Sequence, residues 1–297
     1  MMTPPRRPQG PPVTPVFLLL IAMSSIQVGA SLAKTLFHSV GASGAVALRT
    51  ALAALMLAVV LRPWRARVSG AAWPALAVYG VSLGVMNFLY YMALRTVPLG
   101  ITVAIEFTGP LLVAVLTSRR PVDFLWIALA AAGLSLLLPI SHTSTGIDPT
   151  GAAFALGAGG CWALYIVFGQ KAGAALGAQA VALGSVIAAV IVVPIGLATA
   201  GRAIFSAAAL PYGLAIALLS SALPYTLEML ALTRLPARTF GILMSVEPVV
   251  GALIGWLMLH ELLSGVQWTA IALIILASIG TTWTATARQA SPVPMPD

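Results

Sequence analysis

Apolar residues occur along this chain in runs long enough to cross a lipid bilayer, and polar residues mark the short intervals between them. A helix needs about 20 residues to cross roughly 30 Å of hydrocarbon. Because the intervals are short, the pattern predicts an all-α membrane protein with ten transmembrane helices and no separate soluble domain. The ten runs lie at approximately residues 16–33, 45–61, 72–94, 98–117, 122–140, 151–170, 177–200, 209–232, 237–258 and 266–285.

The two ends of the chain have a different composition. Residues 1–15 and 286–297 are rich in proline and poor in apolar side chains, so they are predicted to be disordered tails. The first apolar run continues toward Lys34 instead of ending at a small-residue cleavage site. We therefore expect it to be a membrane helix and not a cleaved signal peptide.

The two halves of the chain resemble each other. The segment AVALRTALAALML at 45–57 aligns with AVALGSVIAAVIV at 180–192, and ALRTVPLG at 93–100 aligns with ALTRLPAR at 231–238. The similarity predicts two five-helix repeats, at residues 16–140 and 151–285. Because each repeat has an odd number of spans, the second must be inserted with the opposite orientation. Inverted repeats of this kind are typical of secondary transporters.

Composition supports the membrane assignment, and the positions of the basic residues indicate an orientation. Hydrophobic residues make up 60% of the chain and charged residues only 7%. Lys and Arg are retained on the cytoplasmic side of a membrane. An orientation with both termini in the cytoplasm places eleven basic residues inside and three outside, namely Lys34, Arg95 and Arg202. Topology and anionic lipid head groups thus explain the net charge of +8, which gives no reason to invoke nucleic acid.

Ionisable residues within the predicted spans are the candidates for function. A charged side chain at the centre of a membrane helix costs about 2.5–3.5 kcal/mol on insertion scales, so it usually faces a cavity or a partner. Glu106 and Glu247 lie on spans four and nine, which are equivalent in the two repeats, and Pro110 and Pro248 are predicted to break the helix beside them. Arg49 and Glu228 are the other two ionisable groups that fall well within spans and not near their ends.

A purely structural role is the alternative interpretation of Glu106. It could pair with Arg49 and lock two helices together, or remain neutral and be held by a hydroxyl such as that of Thr108.

Other polar side chains recur at helical spacing. Asn87 and Tyr90 share a face of span three, and Ser24, Gln27 and Ser31 form a narrow polar stripe on span one. Together with the ionisable residues they would line a pocket suited to a small zwitterion. The predicted substrate-binding residues are Arg49, Asn87, Tyr90, Glu106, Trp162, Tyr165, Tyr225, Glu228 and Glu247.

The sequence gives little support for enzymatic chemistry. It has no GxxxxGK[ST] phosphate-binding loop, so ATP hydrolysis by this chain is not expected. The His260-Glu261 pair lacks the second histidine of a zinc protease, and Cys161 is the single cysteine. We therefore predict neither a metal nor a cofactor, and a protein that is not an enzyme.

Two motifs carry a resemblance to a known family. The segments AIEFTGPLL at 104–112 and LMSVEPVVGALIGWLMLHE at 243–261 resemble the drug/metabolite transporter superfamily, and most of all its bacterial threonine and homoserine exporter subgroup. The resemblance covers about residues 16–285. It implies an inner-membrane exporter with a central cavity between two repeats, alternating access and cytoplasmic termini.

The functional prediction is an exporter of small amino acids such as threonine and homoserine. Arg49 would bind the substrate carboxylate, while Glu106 or Glu247 would bind its ammonium group or a coupling proton. Burial favours the neutral form of a carboxylic acid, so proton antiport is compatible with these residues. Export of other metabolites or cationic drugs is the first alternative. A channel or a membrane sensor is the second.

Overall fold

Helices provide all the regular secondary structure in the described part of the chain. The computed structural model describes residues 13–116, 121–137, 147–224, 227, 244 and 246–287. Short 3₁₀ segments at Pro63–Arg65 and Gly201–Phe205 and a π-helical turn at Leu218–Ala222 join the longer elements. These elements are α1 (Val13–Leu61), α2 (Trp73–Ala93), α3 (Leu99–Glu106), α4 (Thr108–Leu116), α5 (Pro121–Leu137), α6 (Pro149–Leu176), α7 (Gln179–Ala200), α8 (Ala209–Ala217), α9 (Glu247–Leu259) and α10 (Gly265–Ala287).

Several of the helices are apolar and long enough to cross a membrane. Four stretches meet both conditions, at Phe17–Leu61, Trp73–Ala93, Pro149–Leu176 and Gln179–Phe205. The prediction of a helical membrane protein is therefore confirmed for the described residues. The number of crossings stays a prediction, because much of spans eight and nine lies outside those residues.

The first two predicted spans are two helices that meet at a kink, with almost no loop between them. Helix α1 is continuous from Val13 to Leu61 except at Gly41, where φ is 69° and ψ is 170°. This left-handed φ is strained for any residue with a side chain, so glycine provides the break. We call the parts before and after Gly41 the first and second arms of α1. The predicted loop at 34–44 is thus mostly helical.

A break separates α3 from α4 within predicted span four. Helix α3 ends at Glu106, Phe107 lies between the two helices, and α4 begins at Thr108. Pro110 lies in the first turn of α4, where it removes the N–H that would have bonded the Glu106 carbonyl. In α9, Pro248 occupies the first turn directly after Glu247. Each acid therefore lies next to or at the start of a helix whose first turn contains a proline.

Glycines allow very close helix packing near this break. A methyl group built on Gly109 would come within 1.9 Å of the Gly159 carbonyl oxygen, and one on Gly159 would come within 2.7 Å of the Glu106 carbonyl oxygen. Helix α6 therefore packs backbone against backbone on the α3–α4 break.

Helices that are equivalent in the predicted repeats pack against each other in antiparallel pairs. In the second arm of α1, Gly44 faces Ala200 while Ala47 faces Gly196 of α7. Contacts therefore run in opposite sequence directions along the two helices. The same antiparallel order relates α3 to α9 through Gly100–Ala252 and Val103–Gly251, and α5 to α10 through Gly133–Ala270 and Trp126–Gly280.

The N-terminus of α6 is capped outside the apolar segments. The Asp148 carboxylate accepts hydrogen bonds from Thr96 Oγ1 at 2.7 Å and from the Gly151 N–H at 2.9 Å. These bonds, that of Thr96 above all, hold the pKa of Asp148 below its ordinary value. The cap joins the loop after α2 to the start of α6.

Two adjacent glycines of α6 test the backbone contact. We expect Gly159→Ala to lower the free energy of unfolding by about 1–3 kcal/mol, because its methyl group has no room. Gly160→Ala should be neutral or raise it by up to about 1 kcal/mol, since nothing lies within 4 Å of the added group and alanine favours helix. Thermal unfolding of both variants in detergent measures the difference. Equal midpoints would contradict the close packing.

Candidate functional site

A buried polar cluster lies where α1, α2, α3 and α9 meet, and Arg49 is its cation. Arg49 is 7% exposed, and its guanidinium donates to Asn87 Oδ1 at 2.7 Å and to the Ser220 carbonyl at 3.1 Å. It also lies over the ring of Tyr91, 5.5 Å from the centroid. Asn87 donates its own amide to the Leu83 carbonyl at 2.7 Å, which fixes Oδ1 toward Arg49. Neutral groups thus hold this buried cation in place.

Glu247 is the second charged member of the cluster. It is the first residue of α9 and is 6% exposed. Its Oε1 accepts a hydrogen bond from Gln27 Nε2 at 3.2 Å, and the hydroxyl of Tyr90 donates to Gln27 Oε1 at 3.5 Å. Its Oε2 is buried without a hydrogen-bond partner among the described residues.

Glu106 completes the cluster from the end of α3. It is 8% exposed and interacts electrostatically with both Glu247 and Arg49. Tyr90 lies near these groups, since it interacts electrostatically with Glu106, Glu247 and Arg49. Across the described part of the chain, the Glu106 carboxylate has neither a hydrogen-bond nor a salt-bridge partner. Two carboxylates and one guanidinium are therefore buried together without neutralising one another directly.

Neither structural interpretation of Glu106 agrees with this geometry. Glu106 and Arg49 form no salt bridge, although the structure describes both. The Thr108 hydroxyl donates to the Ile105 carbonyl at 2.6 Å and not to the acid.

Two predicted aromatic residues on α6 occupy different surroundings. Trp162 packs edge-on against Phe107, with ring centroids 5.6 Å apart, so it lies against the residue that follows Glu106. Tyr165 stacks on Tyr79 at 5.0 Å, in a separate apolar cluster with Leu76 and Ala172. The structure brings Trp162 to the edge of the polar cluster and Tyr165 to a packing position. Tyr225 and Glu228 lie outside the described residues.

Some contacts of the cluster were not predicted from the sequence. Gln27 was part of a recognised polar stripe, but its bridge between Glu247 and Tyr90 depends on tertiary contacts. The Ser220 carbonyl that accepts from Arg49 lies in the π-helical turn at Leu218–Ala222, which the sequence did not predict. The Ser220-Ser221 doublet within an apolar run is the one sequence signal that marks this position.

A partly exposed ion pair lies outside the polar cluster, near the start of α3 and the end of α9. Lys34 of the first arm of α1 pairs with Glu261, which follows α9. Glu261 Oε2 also accepts the Leu99 N–H at 2.7 Å, at the start of α3. One carboxylate thus ties together the three helices that carry Gln27, Glu106 and Glu247.

Comparison with known proteins identifies relatives over most of the chain. The sequence model of the EamA-like transporter family matches residues 149–283. The threonine/homoserine exporter RhtA of Salmonella typhimurium strain SL1344 is 57% identical over 270 residues, which cover 91% of this chain and 92% of the relative. RhtA of Escherichia coli strain K12 is 56% identical over 270 residues, which again cover 91% of this chain and 92% of the relative.

More distant similarity extends to other proteins. An uncharacterized transporter, YwfM of Bacillus subtilis strain 168, is 31% identical over 74% of this chain and 77% of its own length. A protein of known crystal structure superposes with a TM-score of 0.62, covering 93% of this chain and 99% of that protein. Its sequence identity is 20%, so this likeness concerns the fold alone.

The neutral partner of Arg49 provides a test of the cluster. We expect Asn87→Leu to lower the free energy of unfolding by about 1–3 kcal/mol, because a buried guanidinium loses an acceptor. Thr50→Val is the matched control: Thr50 is also buried on α1, but its hydroxyl bonds only the Val46 carbonyl of its own helix. Thermal unfolding of the two variants in detergent compares their free energies of unfolding. A larger decrease for Thr50→Val than for Asn87→Leu would refute the claim that Asn87 stabilises the buried Arg49 guanidinium.

Proposed function

Because the chain belongs to the EamA-like transporter family, within the drug/metabolite transporter superfamily, we propose that it exports threonine, homoserine and amino acids of similar size. It would act as a carrier and not as an enzyme. The most similar relatives named above are threonine/homoserine exporters, and 56–57% identity over nine-tenths of the chain supports the same class of cargo.

The charges of the buried cluster carry the proposal. A free amino acid has one carboxylate and one ammonium group, and the cluster has one guanidinium and two carboxylates. Arg49 would bind the substrate carboxylate, with Asn87 holding the guanidinium. Glu106 and Glu247 would receive the ammonium group or a coupling proton. A purely cationic drug has no anionic group that could pair with the Arg49 guanidinium.

The architecture proposed for this carrier is two inverted five-helix repeats, residues 16–140 and 151–285, with ten crossings. Antiparallel packing of the equivalent helices supports it, because two copies related by an axis in the membrane plane must present the same helix in opposite directions. The pairs α3–α9 and α5–α10 both have this arrangement.

Close contact between α3 and α9 closes one end of the cluster. A carrier that works by alternating access must be closed at one end in each of its states. A methyl group on Gly100 would come within 2.5 Å of the Ala252 Cα, so α3 and α9 touch along their backbones. The Lys34–Glu261 pair and the Glu261–Leu99 bond hold α1, α3 and α9 together beyond this contact. We propose that this assembly is a gate that opens when substrate is released.

The proposed location is the bacterial inner membrane with both termini in the cytoplasm. Lys34 and Arg95 line one cavity of about 480 Å³ at the gated end, together with His38 and Gly41. These two basic residues belong to the few that the charge distribution assigns to the outer side, so the gate would face outward. Proton antiport remains part of the proposal, with Glu106 or Glu247 as the carrier.

Transport by purified protein in proteoliposomes tests the function. We expect saturable flux of labelled threonine and homoserine, driven further by an imposed pH gradient. Glu106→Gln and Glu247→Gln should each lower flux at subsaturating substrate by roughly 10- to 100-fold, since a charge-assisted hydrogen bond contributes about 1.5–3 kcal/mol.

Asp148→Asn is the matched control for this measurement. It makes the same carboxylate-to-amide change on a partly exposed helix cap away from the cluster, and asparagine caps helices equally well, so flux should not change. Ungated conductance in the wild type would indicate a channel. Normal flux in both glutamate variants would eliminate the proposed site.

Cross-linking tests the gate. In a Cys161→Ser background, Lys34→Cys and Glu261→Cys would be joined with a reducible bifunctional thiol reagent. We expect flux to stop on linking and to return on reduction, because the gate can no longer open. Each single-cysteine variant, treated identically, controls for the reagent. Undiminished flux in fully linked protein would disprove the gate.

A further inference from the structure

Gln27 occupies a position that joins three helices inside the cluster. It lies on the first arm of α1 and is 1% exposed. Its amide nitrogen donates to Glu247 Oε1 on α9, and its amide oxygen accepts from the Tyr90 hydroxyl on α2.

The direction of these hydrogen bonds fixes the orientation of the amide. A carboxylate can only accept, so Gln27 must present its nitrogen to Glu247. The Tyr90 hydroxyl donates to the opposite edge of the same planar group, which holds the amide in that orientation. The amide nitrogen and the amide oxygen of Gln27 thus each have a different partner, Glu247 at 3.2 Å and Tyr90 at 3.5 Å.

This arrangement also fixes the carboxylate of Glu247. With Oε1 bound to Gln27, the remaining oxygen is Oε2, which is buried and without a hydrogen-bond partner among the described residues. A buried acceptor without a donor is costly, so it requires an explanation, and a bound ligand group is one that a transport site would supply. The nearby Glu106 and Tyr90 add negative and polar character, which favours a cation as that ligand.

We propose that Gln27 is a positioning residue for substrate selection: it holds Glu247 so that Oε2 is presented to the ammonium group of the transported amino acid. This inference rests on the proposed function and deepens it. Gln27 does not touch the substrate. It sets the affinity for the amino group through Glu247 and leaves recognition of the carboxylate to Arg49.

A ligand pair that differs only in the amino group separates this role from a general structural one. Binding of homoserine and of 4-hydroxybutyrate, the same molecule without the ammonium group, would be measured on purified protein, the weaker ligand by competition. For Gln27→Met, which keeps the side-chain length, we expect about tenfold weaker homoserine binding. 4-Hydroxybutyrate binding should stay within about twofold of wild type.

A double-mutant cycle shows whether Gln27 acts through Glu247. In a Glu247→Gln background, Gln27→Met should have little further effect on homoserine binding, because the group it positions is already changed. For the single variant Gln27→Met, flux measurements should show a raised KM for homoserine with a nearly unchanged maximal rate. Ser25→Ala is the control: Ser25 is buried on the same arm of α1 but bonds the Leu219 carbonyl, so neither ligand should be affected.

Several outcomes would overturn the proposal. Equal weakening of both ligands, or full additivity with Glu247→Gln, would mean that Gln27 has a structural role only. If Gln27→Met does not fold, Tyr90→Phe removes the hydroxyl that orients the amide and should give a smaller effect with the same selectivity. A wild type that binds neither ligand would instead refute the proposed function, and this inference with it.

Discussion

The structure depends on burying two carboxylates and one guanidinium in one cluster without a salt bridge between Arg49 and either Glu106 or Glu247. Arg49 is held by the Asn87 amide, the Ser220 carbonyl and the Tyr91 ring, all of which are neutral. Glu106 interacts electrostatically with Glu247 and with Arg49 but forms no salt bridge with Arg49. A direct salt bridge would stabilise the bundle and leave little for a ligand to gain. The Glu106 carboxylate and Glu247 Oε2 instead lack hydrogen-bond partners among the described residues, so the ammonium group of a ligand could occupy this place.

Close backbone packing is what makes this costly arrangement possible. Gly100 and Gly159 bring neighbouring helices against the ends of α3, on either side of the polar cluster. Such contacts bring together the helices that carry the charged side chains, and Arg49, Glu106 and Glu247 are buried among them. The breaks beside Pro110 and Pro248 place Glu106 at the end of one helix and Glu247 at the start of another. The same region therefore combines a rigid frame with helix ends, where rearrangement is easiest.

Much of the fold could be predicted from the apolar pattern, because membrane helices require long uninterrupted apolar runs. The candidate site was predictable in part: Glu106, Glu247 and Arg49 were recognisable because charges are costly within such runs. Their partners were not, since the bond from Gln27 to Glu247 joins residues 220 positions apart. The Lys34–Glu261 pair likewise depends on α1 and α9 lying side by side. The continuity of α1 through residues 34–40 was missed because polar side chains there resemble a loop.

An experimental structure with homoserine bound tests the central claim most directly. The account predicts the ligand inside the polar cluster, with its carboxylate within hydrogen-bond distance of the Arg49 guanidinium and its ammonium group at Glu247 Oε2 or Glu106. A ligand bound outside the cluster, or one whose ammonium group is directed away from both carboxylates, would contradict it.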